Sequence, residues 1–533
     1  MLRRRSALIT AAAIAAASAL FTTSAAMADH PAENTAEQPA EQWRSYWVDS
    51  FRDSIYTPQN VDKLVADAQA VNANVLIVQV SRWMDCFCNR SSFPRTHVAI
   101  DPGFDPLDDV IEKAHAAGIE VHAWVNATPA WNLAAPPENP EHVVNTHGHD
   151  AEGWDNWLNV RVDGKQTAGA NLRNLDPANP AAVDYVVDGI ASIVREYDVD
   201  GINLDYIRYP DDNTVNYQSD WGYTAASIDR FQAATGRTDI PQPTDAQFSD
   251  WRREQVTGLT RKIFLGMYEV DPSAALSING ITYWFGPQTE GGWEETRAYA
   301  EVMQNWKAWL EEGIIDVNVA MNYKVETDVG DRIQMYDEWN EVLKDWQADR
   351  FAVVGPALYL NTVEDSLAQA RRALEPSASG NTVAGWSGYS YAAPSSVAAA
   401  DPGRAGAERA RLARALTIED PSGAPPLFAE PADVPEMIWK TQPTEGHLVG
   451  EVVTRSGNPI DQAAVTLTHL KSRKTVTGRL TDGSGWFGFA NLEPGRWRVS
   501  VELPDDVTGR HVDVVQVEAG ALATATFAPL IER

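Results

Sequence analysis

Between Trp43 and Leu416 the chain repeats one alternation, a short β-favouring run followed by a stretch of helical period. Eight such β-rich runs occur, at 44–49, 75–80, 120–125, 200–206, 275–279, 316–321, 352–358 and 382–386. Patterns such as VDKLVADAQAVN, DDVIEKAHAAG and AEVMQNWKAWLEEG lie between them, several stopped by Gly or Asn, which accept the conformation that ends a helix. Strands that each return after a helix form either a closed (β/α)8 barrel or an open doubly wound sheet. No glycine fingerprint follows the first run, so the α/β architecture expected over 43–418 is the (β/α)8 TIM barrel.

The alternation breaks at EDPSGAPPLFAEPADVPE, and 419–443 reads as a Pro-rich acidic linker. Beyond it, runs at 447–453, 464–469, 475–481, 486–490, 496–503 and 512–517 alternate with period two between turn signals. That spacing predicts a small all-β sandwich over 444–533. At the other end, Arg3, Arg4 and Arg5 precede an Ala-rich apolar run and the small-x-small triplet Ala26-Met27-Ala28. This is the pattern of a cleaved signal peptide over 1–28, with 29–42 as a disordered leader. The expected location is secreted or in the cell envelope. No other stretch is long and apolar enough for a membrane span.

Acids outnumber bases 74 to 43, a formal net charge of −31. A surface this acidic repels nucleic acid and anionic lipid, and is more compatible with a neutral or cationic glycan. Cys86 and Cys88 stand in a C-x-C spacing that allows a local disulfide or two free thiols, with no part in chemistry. Too few ligands surround them for a metal site, and no metal or organic cofactor is expected. Phosphoryl and acyl transfer have no support, because no P-loop, nucleophile-elbow serine or zinc triad is present.

The chemistry-bearing stretch is YDVDGINLDYIRYP, residues 197–210. Its strand delivers Asp205 at the C-terminal end, where barrels of this class carry their active sites. Asp200, at the other end of that strand, is expected to face the barrel bottom or cap a turn. The loops after the strands are long and rich in aromatic and polar residues, as in SRWMDCFCNRSSFP and GITYWFGPQTEGGWEE.

In chain order, VLIVQV, PLDDVIEKAHAAGIEVHAWVN, LDPANPAAVDYVVDGIASIVREYDVDGINLDYIRYP, DWRREQV, IDVNVAMNYK and VVGPALYLN resemble the glycosyl hydrolase-like 10 family. The resemblance covers about 43–390 and is most specific at HAWVN and VDGINLDYIRYP. It implies an amylase-like barrel with glycosidase activity, bacterial cell-wall glycan being a substrate of some members. Glycoside hydrolysis generally uses two carboxyl groups flanking the scissile bond. On the resemblance, Asp205 takes the nucleophile position and Glu290, after the fifth strand, that of the proton donor. Asp85, Glu326 and Glu294 are rival donors. This chain has Asp205-Tyr206 where the family usually carries two successive acids. His122, Trp124 and Asn126 of HAWVN alternate onto one face, as substrate contacts or supports of a catalytic acid. Tyr206, Arg208, Tyr209, Tyr283, Trp284 and Tyr323 are further candidate sugar contacts, with Asp85 beside them. GEVVTRSGNPIDQAAVTL and TDGSGWFGFANLEPGRWRVSV look like a carboxypeptidase-regulatory-like, transthyretin-type sandwich, a module that is usually non-catalytic. The expected function is an exported glycoside hydrolase acting on a bacterial cell-wall or extracellular polysaccharide. The alternatives are a non-catalytic glycan-binding barrel or a surface adhesion protein.

Overall fold

Apolar residues at every second position of a strand can fill a barrel interior while the intervening ones meet the surrounding helices, and both sets are present here. The computed structural model describes residues 39–52, 54–215, 217–504, 507–527 and 530–532. The expected signal peptide, and the leader up to residue 38, lie outside the described residues.

Eight parallel strands close into a barrel: Trp43–Val48, Val75–Ser81, Glu120–Asn126, Gly201–Asp205, Ala275–Ile281, Val317–Met321, Phe351–Gly355 and Gly385–Tyr389. Each neighbours its predecessor in sequence, and the eighth pairs with the first through Trp43 opposite Gly385. The inside holds Trp43, Trp47, Val75, Ile77, Trp124, Val317, Val319 and Val353. The alternate residues, such as Tyr46, Leu76, Ile202 and Ile278, join the larger core under the helices.

The eighth strand lies at Gly385–Tyr389 rather than 382–386. Its start is set by close approach: a Cβ at Gly385 would sit 1.9 Å from the Trp43 carbonyl oxygen. β-Propensity therefore misplaces it, because the pairing point is a glycine.

The expected linker is packed against the barrel's lower mouth. Gln42 N–H donates to the Asp433 carbonyl at 2.9 Å, and Asp433 N–H to that of Ala40 at 2.9 Å. Val434 and Met437 pack against the interior cluster from below. Buried Asp316, just before the sixth strand, accepts from Trp439 Nε1 at 2.7 Å and from Leu276 N–H at 2.8 Å, with Lys440 Nζ 3.3 Å away. Residues 418–445 thus act as a strap across the N-terminal ends of the strands.

The C-terminal sandwich stacks a three-stranded sheet on a four-stranded one around its own core of Leu448, Val465, Leu467, Phe487, Trp497 and Val499. Leu522–Ala525 completes the smaller sheet, running parallel to Gly446–Glu451. The sequence hides this strand because LATA has few of the branched or aromatic residues that mark strands. The sandwich is fastened to the barrel by ion pairs: Arg230 to Asp461 at 2.6 Å, Lys262 to Asp482 at 2.8 Å and Arg479 to Glu312 at 2.7 Å.

Candidate active site

At the upper mouth, where the strands end, a cavity of about 480 Å³ opens between the loops. Asp205 ends the fourth strand opposite Asn126 of the third and is 5% exposed. Its Oδ1 accepts the Tyr206 N–H at 2.7 Å. Burial pushes its pKa up, against the pull of Arg208, the Tyr206 N–H and the Asn279 amide. Tyr206 itself has φ 51°, a left-handed conformation that a bulky residue rarely adopts. The backbone therefore turns sharply just past the carboxylate, and the Tyr206 carbonyl is held by Thr128 Oγ1 at 2.9 Å.

That turn sorts the Tyr-Ile-Arg-Tyr segment. Tyr206 and Arg208 line the cavity, with the Arg208 guanidinium 4.5 Å over the Tyr206 ring. Arg208 Nε and Nη1 are buried without a hydrogen-bond partner, and the nearest acid, Asp211, stands 3.6 Å from Nη1. Asp211 in turn accepts from the Tyr283 hydroxyl at 2.8 Å. Tyr209 faces the other way into the core, fully buried beside Gly222, and does not line the cavity.

On the third strand, Trp124 and Asn126 line the cavity and His122 does not. His122 is fully buried below them, its ring edge-on to Trp43 at 5.0 Å and its Nδ1 where a Cβ on Gly201 would collide at 2.6 Å. It faces inward, but one layer too deep to touch a substrate. Asn126 is already engaged: Oδ1 accepts from Trp124 Nε1 at 3.0 Å and Nδ2 donates to the Arg82 carbonyl at 3.0 Å.

Four acids expected at the site stand elsewhere. Glu290 ends the short helix Pro287–Glu290 and lines a separate depression with Glu294, Glu295 and Asp250. The turn at Gly291, φ 97°, follows it directly, and burial pushes its pKa up without bringing it to Asp205's cavity. Asp85 is 2% exposed and accepts the Arg82 and Trp83 N–H groups at 3.1 Å each. Burial works to raise its pKa, but the pull of the nearby His97 and Thr96 side chains and of the Trp83 N–H outweighs that and holds it low. It orders the loop that carries the Cys86–Cys88 disulfide and does not line the cavity. Glu326 pairs with Arg372 through both oxygens at 2.8 Å. Asp200 caps the barrel bottom, accepting Val121 N–H at 2.7 Å.

The rest of the wall is aromatic and cationic. Tyr323 and Tyr389 stack with centroids 5.2 Å apart, and Trp83, Trp284, Tyr283 and Tyr359 complete the rim. Tyr389 feels the charge of Asp205 and also of Asp49, a buried carboxyl at the end of the first strand, whose pKa burial pushes up. Asp205 is the one carboxylate on the cavity wall among the described residues, facing Arg208, Arg297, Lys324 and Arg332. The cavity thus has a sign opposite to that of the chain. Asn279, Lys324, Arg332, Tyr359 and Tyr389 escape the sequence reading because each looks there like an ordinary loop or strand-end residue. No three His, Cys, Asp or Glu side chains among the described residues converge as a metal site.

The family model described as glycosyl hydrolase-like 10 matches residues 42–361, and that of the carboxypeptidase regulatory-like domain matches 447–528. "Glycosyl hydrolase YngK" of Bacillus subtilis is 25% identical over 308 residues, 54% of this chain and 52% of that protein. "Glycosyl hydrolase DigH" of Escherichia coli is 22% identical over 277 residues, 48% of this chain and 55% of that protein. The chain therefore spans about half the length of these curated relatives. Among solved structures, the PgaB (BpsB) glycoside hydrolase domain of Bordetella bronchiseptica aligns at TM-score 0.46 and 14% identity, covering 69% of this chain and 98% of that one. The catalytic domain of a β-amylase from Paenibacillus polymyxa aligns at 0.47 and 11%, covering 66% and 93%.

Proposed function

The chain belongs to the glycosyl hydrolase-like 10 family, and from that premise we propose that it cleaves glycosidic bonds in the upper cavity through Asp205. One observation carries the reading: a buried carboxyl of raised pKa, backed by Arg208 and Asn279, is the acid on the wall of a sugar-sized cleft. A carboxyl in that setting suits proton exchange with a leaving oxygen, and once ionised it stabilises the positive charge that develops on the sugar ring. The stacked Tyr323 and Tyr389 and the exposed Trp284 offer flat apolar faces to sugar rings. Asp49, a buried carboxyl whose charge acts on Tyr389, is the candidate second carboxyl in this proposal.

The substrate in this proposal is a cell-wall or extracellular polysaccharide. The Arg-led apolar segment at 1–28 supports action outside the cytoplasm, and N-terminal sequencing of protein recovered from culture medium and envelope fractions tests it. Turnover is tested by reducing-end release from a panel of polysaccharides by the full chain and by Asp205→Asn. Loss of release in the variant supports the reading, and unchanged release removes Asp205 from the mechanism. A second reading, a glycan-binding barrel without turnover, is favoured by the single carboxylate on the described cavity wall. It predicts glycan binding with no release by either protein.

A further inference from the structure

Lys324 follows the sixth strand and lies in the cavity wall, 5% exposed. Its ammonium donates to the Thr282 carbonyl at 2.8 Å and reaches Asn322 Oδ1 at a long 3.4 Å. A lysine ammonium has three N–H groups, and both acceptors here are neutral. Burial, aided by the nearby Arg332, pulls its pKa from 10.5 down to about 7. Arg332 is half-buried and lines the same cavity; its guanidinium lies 5.5 Å over the Trp284 ring and donates to the Met335 sulfur at 3.6 Å. Neither cation has a carboxylate within 4.0 Å among the described residues. The other cations of the wall are answered by acids, Arg297 by Glu301 and Arg208 by Asp211 at 3.6 Å.

Two adjacent unpaired cations, one buried, are costly in a folded protein. This chain does not lack acids, with 74 against 43 bases, yet none is supplied here. The geometry points to a subsite in which Lys324 and Arg332 bind a carboxylate carried by a sugar of the glycan, with Trp284, Tyr323 and Tyr359 supplying the walls for its ring. The inference rests on the reading of this cavity as a glycan site and deepens it to an acidic sugar. It also reverses, for the cavity, the preference for neutral or cationic glycans that the overall charge suggests. A planar carboxylate suits a guanidinium beside an ammonium, and such charge-assisted bonds strengthen where water is excluded.

The test is equilibrium binding to the full chain by titration calorimetry or ligand-observed NMR, with D-glucuronate, D-glucose and acetate as probes. The expected result is glucuronate binding about tenfold or more tighter than either glucose or acetate. That preference collapses in Arg332→Gln, a half-buried position that tolerates the change, and in Lys324→Met. Added salt weakens glucuronate and leaves glucose unchanged. Equal affinity for glucuronate and glucose overturns the subsite, as does a preference that survives in both variants. Acetate binding as tightly as glucuronate overturns its assignment to a sugar. Reducing-end release is independent of these readouts: release from neutral glycans without a glucuronate preference removes the subsite alone, whereas a glucuronate preference without release from any glycan supports the subsite and removes the hydrolase reading.

Discussion

At the lower mouth of the barrel Asp316 gives one carboxylate oxygen to Trp439 and the other to a backbone N–H, with Lys440 nearby to balance its charge. At the upper mouth Arg208 keeps two buried nitrogens without hydrogen bonds, Lys324 meets only neutral acceptors, and burial pushes the pKa of Asp205 up. The same eight strands support both ends, so strand chemistry does not explain the difference. What differs is the covering. A strap of the chain itself satisfies Asp316 at the lower end, while the polar groups of the upper end face a cavity. Unmet polar groups are costly to a fold, and those that border the upper cavity mark where a ligand can complete the structure.

The contrast is broken most strongly at Asp205. Asp205→Asn is expected to lower glycan turnover by about a thousandfold or more while the melting temperature holds or rises, because a buried ionisable group is replaced by a neutral one. Calorimetry beside an activity assay checks it; a large fall in melting temperature would make Asp205 a structural residue. The mirror experiment is Asp316→Ala. Removing a fully buried acid that ties the strap to the sheet should cost about 3–5 kcal/mol in denaturant unfolding, with turnover per folded molecule preserved.

Lys324→Met sharpens the comparison through pH. Below about pH 7 Lys324 is protonated in both folded and unfolded chains, so the burden of burying its charge is fully present. Between that pH and its ordinary value of 10.5, only the unfolded chain holds the proton, and stability rises with pH. The methionine variant should be more stable than the parent below pH 7, by roughly 2–4 kcal/mol, with the gain shrinking toward pH 10. Unfolding curves across that range decide it, and a pH-independent difference would show that the lysine is not buried as a charge. The smallest effect is expected at the sandwich contact. Arg230 is 3% exposed and bonds Asp461, and Arg230→Met should cost about 1.5–3 kcal/mol while leaving turnover untouched.

The barrel is legible in the sequence because branched residues at alternate positions report both faces of each strand, as in VLIVQV and GINLD. Asp205 is legible for the same reason: a strand of known direction fixes which end carries its last residue. Loop residues carry no such signal. Glu290 is reached by analogy with other barrels, yet the path through Pro287 and Gly291 takes it to a different depression. Tyr209 follows Arg208 in sequence but faces the core, since the left-handed Tyr206 resets the alternation. Lys324 and Arg332 look like any surface bases until the fold removes their water. Inward orientation is readable on the third strand, but depth is not, so His122 and Asn126 look alike there and differ by a layer in the barrel.

The strap alters how the molecule can be taken apart. The family match ends at 361, before the eighth strand, and the Pro-rich stretch that invites a cut between barrel and sandwich is the floor of the barrel. A shortened chain ending at residue 418 would expose Val434's and Met437's seats to water and leave Asp316 without Trp439. The C-terminal module is therefore no detachable passenger: the stretch that leads to it shuts the base of the barrel, and any exchange of that module has to carry the closure along with it.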